Sequence, residues 1–167
     1  LSGLQRTHEF EKPPGSTHAC EAVYMTSAVT ISAVLRVLAR VLLGAALAFA
    51  GVSHLWWARA EFQAQVPPWL PLDADLVVVA SGVVEISLGI ALVVVPRRFR
   101  SQLGWVVAAF FLIIFPGNVA QWLEQRDAFG LDSDTSRFVR LFFQPVLVVW
   151  ALWATAAWSW GRSHRNP

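Results

Sequence analysis

The chain has 167 residues, of which 56% are hydrophobic and only 14% charged, against roughly 45–50% and about 25% in average soluble domains. So few charges argue against an ordinary soluble enzyme, whose surface they could not cover. The net charge of +2 is spread thinly, which argues against a nucleic-acid binder, and the one cysteine, Cys20, rules out an internal disulfide, a CxxC pair or a thiolate metal site within one chain.

Residues 1–30 read as a disordered tail. The first 24 are polar, carry Pro13-Pro14-Gly15 and lack helical periodicity, and Met25, the sole methionine, is the expected start of translation. A four-span membrane domain is expected over 31–160, with a short basic tail at 161–167. About 20 mostly apolar residues cross ~30 Å of hydrocarbon, and four stretches qualify.

The first span runs from about Ile31 to Leu55. Arg36 and Arg40, the apolar run after them and Ala48-Phe49-Ala50 also outline a signal peptide with its cleavage site, but apolar character continues through Leu55-Trp56-Trp57. The stiff Val66-Pro67-Pro68-Trp69-Leu70-Pro71 loop fits either a lid over a pocket or a connection hugging the membrane. The second span, Leu76 to Val95, contains one charge, Glu85, and stops at Pro96-Arg97-Arg98. The third, about Leu103 to Leu123, should kink at Pro116-Gly117. The fourth, about Phe138 to Trp160, carries Arg140, Gln144 and Pro145 in its first two turns.

Arg36, Arg40, Arg97, Arg98, Arg100, Arg162 and Arg165 flank one side of these spans, and most acids the other. The excess of cations places both termini in the cytoplasm, N-in and C-in. An all-α transmembrane four-helix bundle is therefore expected.

An ionisable group inside a membrane is a functional hypothesis by default. Glu85 lies about 13 Å into its helix, close to the midplane. Gly82 and Gly89 share its face, so it points into a close helix contact, either paired with a cation or protonated. Span one has a matching stripe, Arg40, Gly44, Ala48 and Gly51, leading to His54. Spans one and two are expected to pack through Gly44, Ala48, Gly51, Gly82 and Gly89, with Glu85 at the seam.

Asn118 and Gln121 end span three, and Arg140 and Gln144 begin span four, each pair one turn apart. With His54 and Glu85 they are expected to line one outward-facing polar pocket, and Arg40 joins the candidates. Arg140 is either a counter-ion for Glu85 or a bound anion, or an arginine that snorkels to headgroups. His54 is the only histidine in the membrane part, since His8, His18 and His164 lie in the tails, so neither a bis-histidine haem nor a metal site is expected. No self-contained catalytic motif is visible.

In order and spacing, several segments resemble the DoxX family of small bacterial four-helix membrane proteins. They are Arg40 with Gly44, Phe49-Ala50-Gly51-Val52-Ser53-His54, the Val66–Pro71 loop, Ser81-Gly82-Val83-Val84-Glu85 with Gly89, Pro96-Arg97-Arg98, Phe115-Pro116-Gly117-Asn118-Val119 and Arg140-Leu141-Phe142-Phe143-Gln144. The family's usual Pro-Ala-Asn step reads Pro116-Gly117-Asn118 here. The resemblance implies a bacterial inner-membrane protein, the membrane subunit of a redox or oxidative-stress assembly. Its pocket would take a quinone headgroup, with His54 or Gln144 donating to a carbonyl and Glu85 relaying a proton. The rival reading is a non-enzymatic anchor or scaffold that recruits soluble partners through Arg97, Arg98 and Arg100, and either reading admits a homo-oligomer. A small transporter is the least favoured, since no inverted repeat is visible.

Overall fold

The computed structural model describes residues 16–130 and 133–158, with side chains described from residue 30 onward. Among these residues the chain forms α1 (Ser16–Leu55), α2 (Arg59–Gln63), α3 (Ala74–Val94), a 3-10 turn (Arg97–Phe99), α4 (Arg100–Leu123) and α5 (Asp134–Ala154). The chain divides into two units, 1–35 and 36–167. What is described of the first is the opening part of α1; the second holds everything that follows here.

Four helical stretches, Thr30–Leu55, Ala74–Val94, Arg97–Leu123 and Asp134–Ala154, are long and apolar enough to cross a membrane. In their most apolar parts only 22–33% of residues are buried within the protein. Leu42, Ile90, Leu112 and Val146 are among the large apolar side chains that face outward. Such a surface suits hydrocarbon as its solvent, and helices satisfy their own backbone hydrogen bonds there.

Two boundaries differ from the sequence reading. The first span lies at Thr30–Leu55 as expected, but its helix reaches back to Ser16 into the expected tail, because the run from Ala19 to Met25 holds no proline or glycine and can extend the helix upstream. The expectations for residues 1–15 lie outside the described residues. The fourth span starts at Asp134, where the Ser133 hydroxyl accepts from the Ser136 amide as an N-cap. It ends at Ala154, short of Trp160, with Ala156 in the left-handed region (φ 56°) just past the end. Trp160 and the tail beyond it also lie outside the described residues. α4 is continuous through Pro116, where the expected kink would fall.

α1 and α3 run antiparallel and touch backbone to backbone. A Cβ on Gly51 would stand 2.5 Å from the Gly82 carbonyl oxygen, and one on Gly89 would stand 2.5 Å from that of Gly44. Without a hydrophobic force between helices in lipid, such close approach supplies the dispersion contact that holds them. α4 and α5 form the second close pair, and Gly104 makes room for the Thr155 side chain. A core of Leu43, Leu47, Leu92, Val107, Phe111 and Ala151 joins the two pairs at one end. There the Trp150 indole donates to the Ala39 carbonyl at 3.0 Å.

Gly51→Ala should therefore push backbone against backbone and destabilise the protein by about 1–3 kcal/mol. Ser87→Ala removes only an exposed hydroxyl bonded to its own helix and should change little. Denaturant titration in detergent micelles compares the two.

Candidate functional site

The glycine contact fixes where His54 goes. A Cβ on Gly82 would lie 2.8 Å from the His54 Cβ, so the histidine crosses α3 where that helix has no side chain. Its ring reaches one turn further along α3, and Nδ1 comes to 2.8 Å from Glu85 Oε2. Both residues are buried, each 5% exposed. The contact has ion-pair distance without hydrogen-bond alignment, and neither atom has another hydrogen-bond partner. A carboxyl so far from water needs a proton or a cation nearby, and the imidazole is the group that can supply either.

The pair faces a cavity of about 920 Å³ between the α1/α3 and α4/α5 pairs. Most of its wall is apolar, with Leu43 and Leu47 from α1, Phe110 and Phe111 from α4, and Phe143 and Leu147 from α5. Polar groups reach it at three places. One is His54 with Glu85. The second is a relay from α4 to α5, in which Asn118 Nδ2 donates to Gln144 Oε1 at 2.9 Å and Gln144 Nε2 donates to the Phe111 carbonyl at 2.6 Å. Pro116 and Pro145 lie beside these residues and each removes one backbone donor from its helix. The third is Arg140, whose guanidinium donates at 2.5 and 3.1 Å to the Gln65 side chain, with that amide oriented to turn its oxygen toward the arginine.

Aromatic rings close one end. Phe62 sits against the His54 ring, 3.5 Å between centroids, Phe129 packs on Phe62 at 4.6 Å, and the Arg140 guanidinium lies 4.8 Å from the Phe129 centroid. Two loops hold these rings in place. Phe129 has a left-handed backbone (φ 57°), and its amide donates to Glu61 Oε2 at 2.7 Å. Arg126 donates to the Val66 carbonyl at 3.0 Å. The Gly117 face is so near the Gln65 carbonyl oxygen that a Cβ would stand 2.6 Å from it. α2 is tied to α3 by the two-pronged contact of Arg59 with Asp75, whose hydrogen bonds raise the Arg59 pKa above its ordinary value.

Of the seven pocket candidates, His54, Glu85, Asn118, Arg140 and Gln144 line this cavity, and Arg40 and Gln121 do not. Gln121 is buried behind it, with its Nε2 donating to the Arg126 carbonyl at 3.4 Å, where it fastens the turn after α4. Arg40 lies too far toward the other end of α1. Nor is Arg140 the counter-ion of Glu85, because His54 occupies that position. Gln65 and Phe129 belong to the site although neither stands on a periodic segment. Among the described residues no group of acids, histidines and cysteine could hold a metal ion.

Fold and site together define a small multi-pass membrane protein with a cavity between its helix pairs. The chain belongs to a family described as a domain of unknown function (DUF8561), whose model matches residues 43–155. That match, rather than one to DoxX, runs from the first cavity residue of α1, Leu43, past the last of α5, Leu147. No curated protein and no solved structure matches the chain.

His54→Ala leaves Glu85 buried without its partner and should destabilise the protein by about 3 kcal/mol. The double variant His54→Ala/Glu85→Gln should recover a good part of that loss. A double-mutant cycle read by thermal unfolding should show coupling of at least about 1 kcal/mol, and additive losses would refute the pairing.

Proposed function

We propose that this protein is a membrane subunit of a redox assembly, of the kind its resemblance to DoxX implies, and that its cavity binds a quinone or a similar flat, lipid-soluble molecule. The observation that carries the reading is the buried His54–Glu85 pair facing a large, mainly apolar cavity. The volume lies at the upper end of the ~300–1,000 Å³ usual for small-molecule sites, and the pattern of apolar walls with a few polar groups is theirs too.

The residues suit such a ring. Phe111 and Phe143 offer apolar faces, while His54 at one side and Gln144 and Arg140 toward α5 offer polar atoms for two ring oxygens. Bound there, a quinone would supply two-electron, two-proton chemistry, with electrons from a soluble redox partner. The chain's own part is narrower. Arg140 and Gln144 orient, Phe62 and Phe129 exclude water, and His54 holds a proton that Glu85 can replace. The cation bias of the flanks supports a cytoplasmic placement of the Arg97–Phe99 turn, the cavity then opening toward the outer half of a bacterial inner membrane. The exposed Arg97 and Arg98 favour the scaffold reading as the alternative, since a soluble acidic partner could dock on them.

The test is titration of the detergent-purified protein with a short-chain quinone, followed by quenching of tryptophan fluorescence, because Trp57 and Trp69 line the cavity. Saturable binding is expected, weakened about tenfold in Gln144→Ala and His54→Ala and unchanged in Arg98→Ala. No saturable quenching, or equal binding by all variants, would remove the quinone reading and leave the scaffold.

A further inference from the structure

At the far end of the bundle the charged groups among the described residues are all arginines. Arg36 and Arg40 stand one turn apart on one face of α1, and Arg100 opens α4 at the same end, where α5 meets both helices through Trp153 against Arg36 and Thr155 against Gly104. Arg40 is 5% exposed, and its Nη1 has no hydrogen-bond acceptor. The Nε atoms of Arg36 and Arg100 are likewise buried and without a partner.

Among the described residues, the elements packed around them offer no carboxylate. α5 brings Trp150, which donates to the Ala39 carbonyl, and Trp153, whose ring centroid lies 6.0 Å from the Arg36 guanidinium carbon. The Thr155 hydroxyl donates to the Ala151 carbonyl of its own helix at 2.7 Å. Apart from Glu85, every acid whose side chain is described, namely Glu61, Asp73, Asp75, Glu124, Asp127 and Asp134, sits in or beside the connections at the opposite end of the bundle. There they pair with Arg59, Arg126 and Arg137 or bind backbone amides.

An arginine near a membrane surface ordinarily snorkels to water or headgroups. Arg40 does not, for its head is packed inside the protein, where a guanidinium without an anion is costly.

We propose that Arg36, Arg40 and Arg100 form a binding site for a phosphate group, either a lipid headgroup or free phosphate. Three planar donor forks suit a tetrahedral anion with several acceptor oxygens better than a two-oxygen carboxylate. The site is separate from the cavity. Arg40 precedes the first cavity residue of α1, and His54 lies about 21 Å further along the helix at 1.5 Å per residue.

The experiment follows thermal unfolding of delipidated protein in a non-ionic detergent while phosphatidylglycerol, phosphatidylcholine or inorganic phosphate is added. Phosphatidylglycerol or inorganic phosphate should raise the unfolding temperature saturably, and zwitterionic phosphatidylcholine should do so much less. Arg40→Met and Arg100→Met keep the packing of the stem and remove the charge, and each should weaken the apparent affinity at least about tenfold. Arg98→Met, an exposed cation two residues from Arg100, should not. If Arg40→Met does not fold, Arg36→Met and Arg100→Met, at half-buried positions, carry the same comparison. A response to the lipid alone assigns a headgroup site, and a response to inorganic phosphate assigns a free-phosphate site. No stabilisation by either, or stabilisation that survives these substitutions, overturns the proposal.

Discussion

Backbone contact between α1 and α3 is the constraint on which the site depends. Glycine at Gly44, Gly51, Gly82 and Gly89 removes the side chains that would hold the helices apart, so the two antiparallel backbones meet at two levels. The register then has no freedom. Glu85 falls between the two contacts, facing the seam, and His54 crosses above Gly82 toward it. The packing device and the chemical device are one arrangement, because a side chain at Gly82 would displace the imidazole that makes a buried carboxyl tolerable. The second helix pair, α4 with α5, approaches this first pair through the Leu43, Leu92 and Phe111 core at one end. Toward the other end the pairs leave the cavity between them.

Polar residues in this apolar protein divide by what they touch. Gln121 bonds to the Arg126 carbonyl, Arg126 to the Val66 carbonyl, and Arg137 to Asp127, and these contacts hold the connections at the cavity end. The turn that follows α4 repeats this logic in its backbone. The Arg126 amide donates to the Gln121 carbonyl and the Gln125 amide to that of Trp122, a Schellman ending with Gln125 in the left-handed region. His54 and Glu85 instead turn atoms without a hydrogen-bond partner toward the cavity, beside Arg140 and Gln144, which are bonded to Gln65, Asn118 and the Phe111 carbonyl. Satisfied polar groups make the scaffold rigid, and incompletely satisfied ones are where a ligand gains most.

The four spans were legible because length and composition alone announce a helix in lipid, and the small-residue stripes because glycine at helical spacing reports a close face. Glu85 stood out for the same reason. What the residues could not show is how far α4 and α5 are rotated about their axes. Helical spacing groups Gln121 with Asn118 and Arg140 with Gln144, but it does not say which member of each pair reaches a neighbour. Only Asn118 lines the cavity while Gln121 turns behind it, and the partner of Glu85 is His54 rather than Arg140. The closed end of the cavity was half visible in the proline-rich loop, of which Val66, Pro67, Trp69 and Leu70 line it. Its other half, Phe129, takes a left-handed backbone without being glycine and leaves no pattern to read. Arg40 shares a stripe with Gly44, yet it sits beyond the cavity on the long axis of α1, which a face-based reading does not resolve.

The most direct test is native mass spectrometry of the protein extracted from membranes in mild detergent, comparing wild type with Glu85→Gln, which keeps the shape of the seam and removes the ionisable group. A non-covalent molecule of quinone-like mass is expected on the wild type and should be depleted in the variant. A bare wild-type protein, or an adduct equally present in both, would contradict a ligand cavity organised by the His54–Glu85 pair.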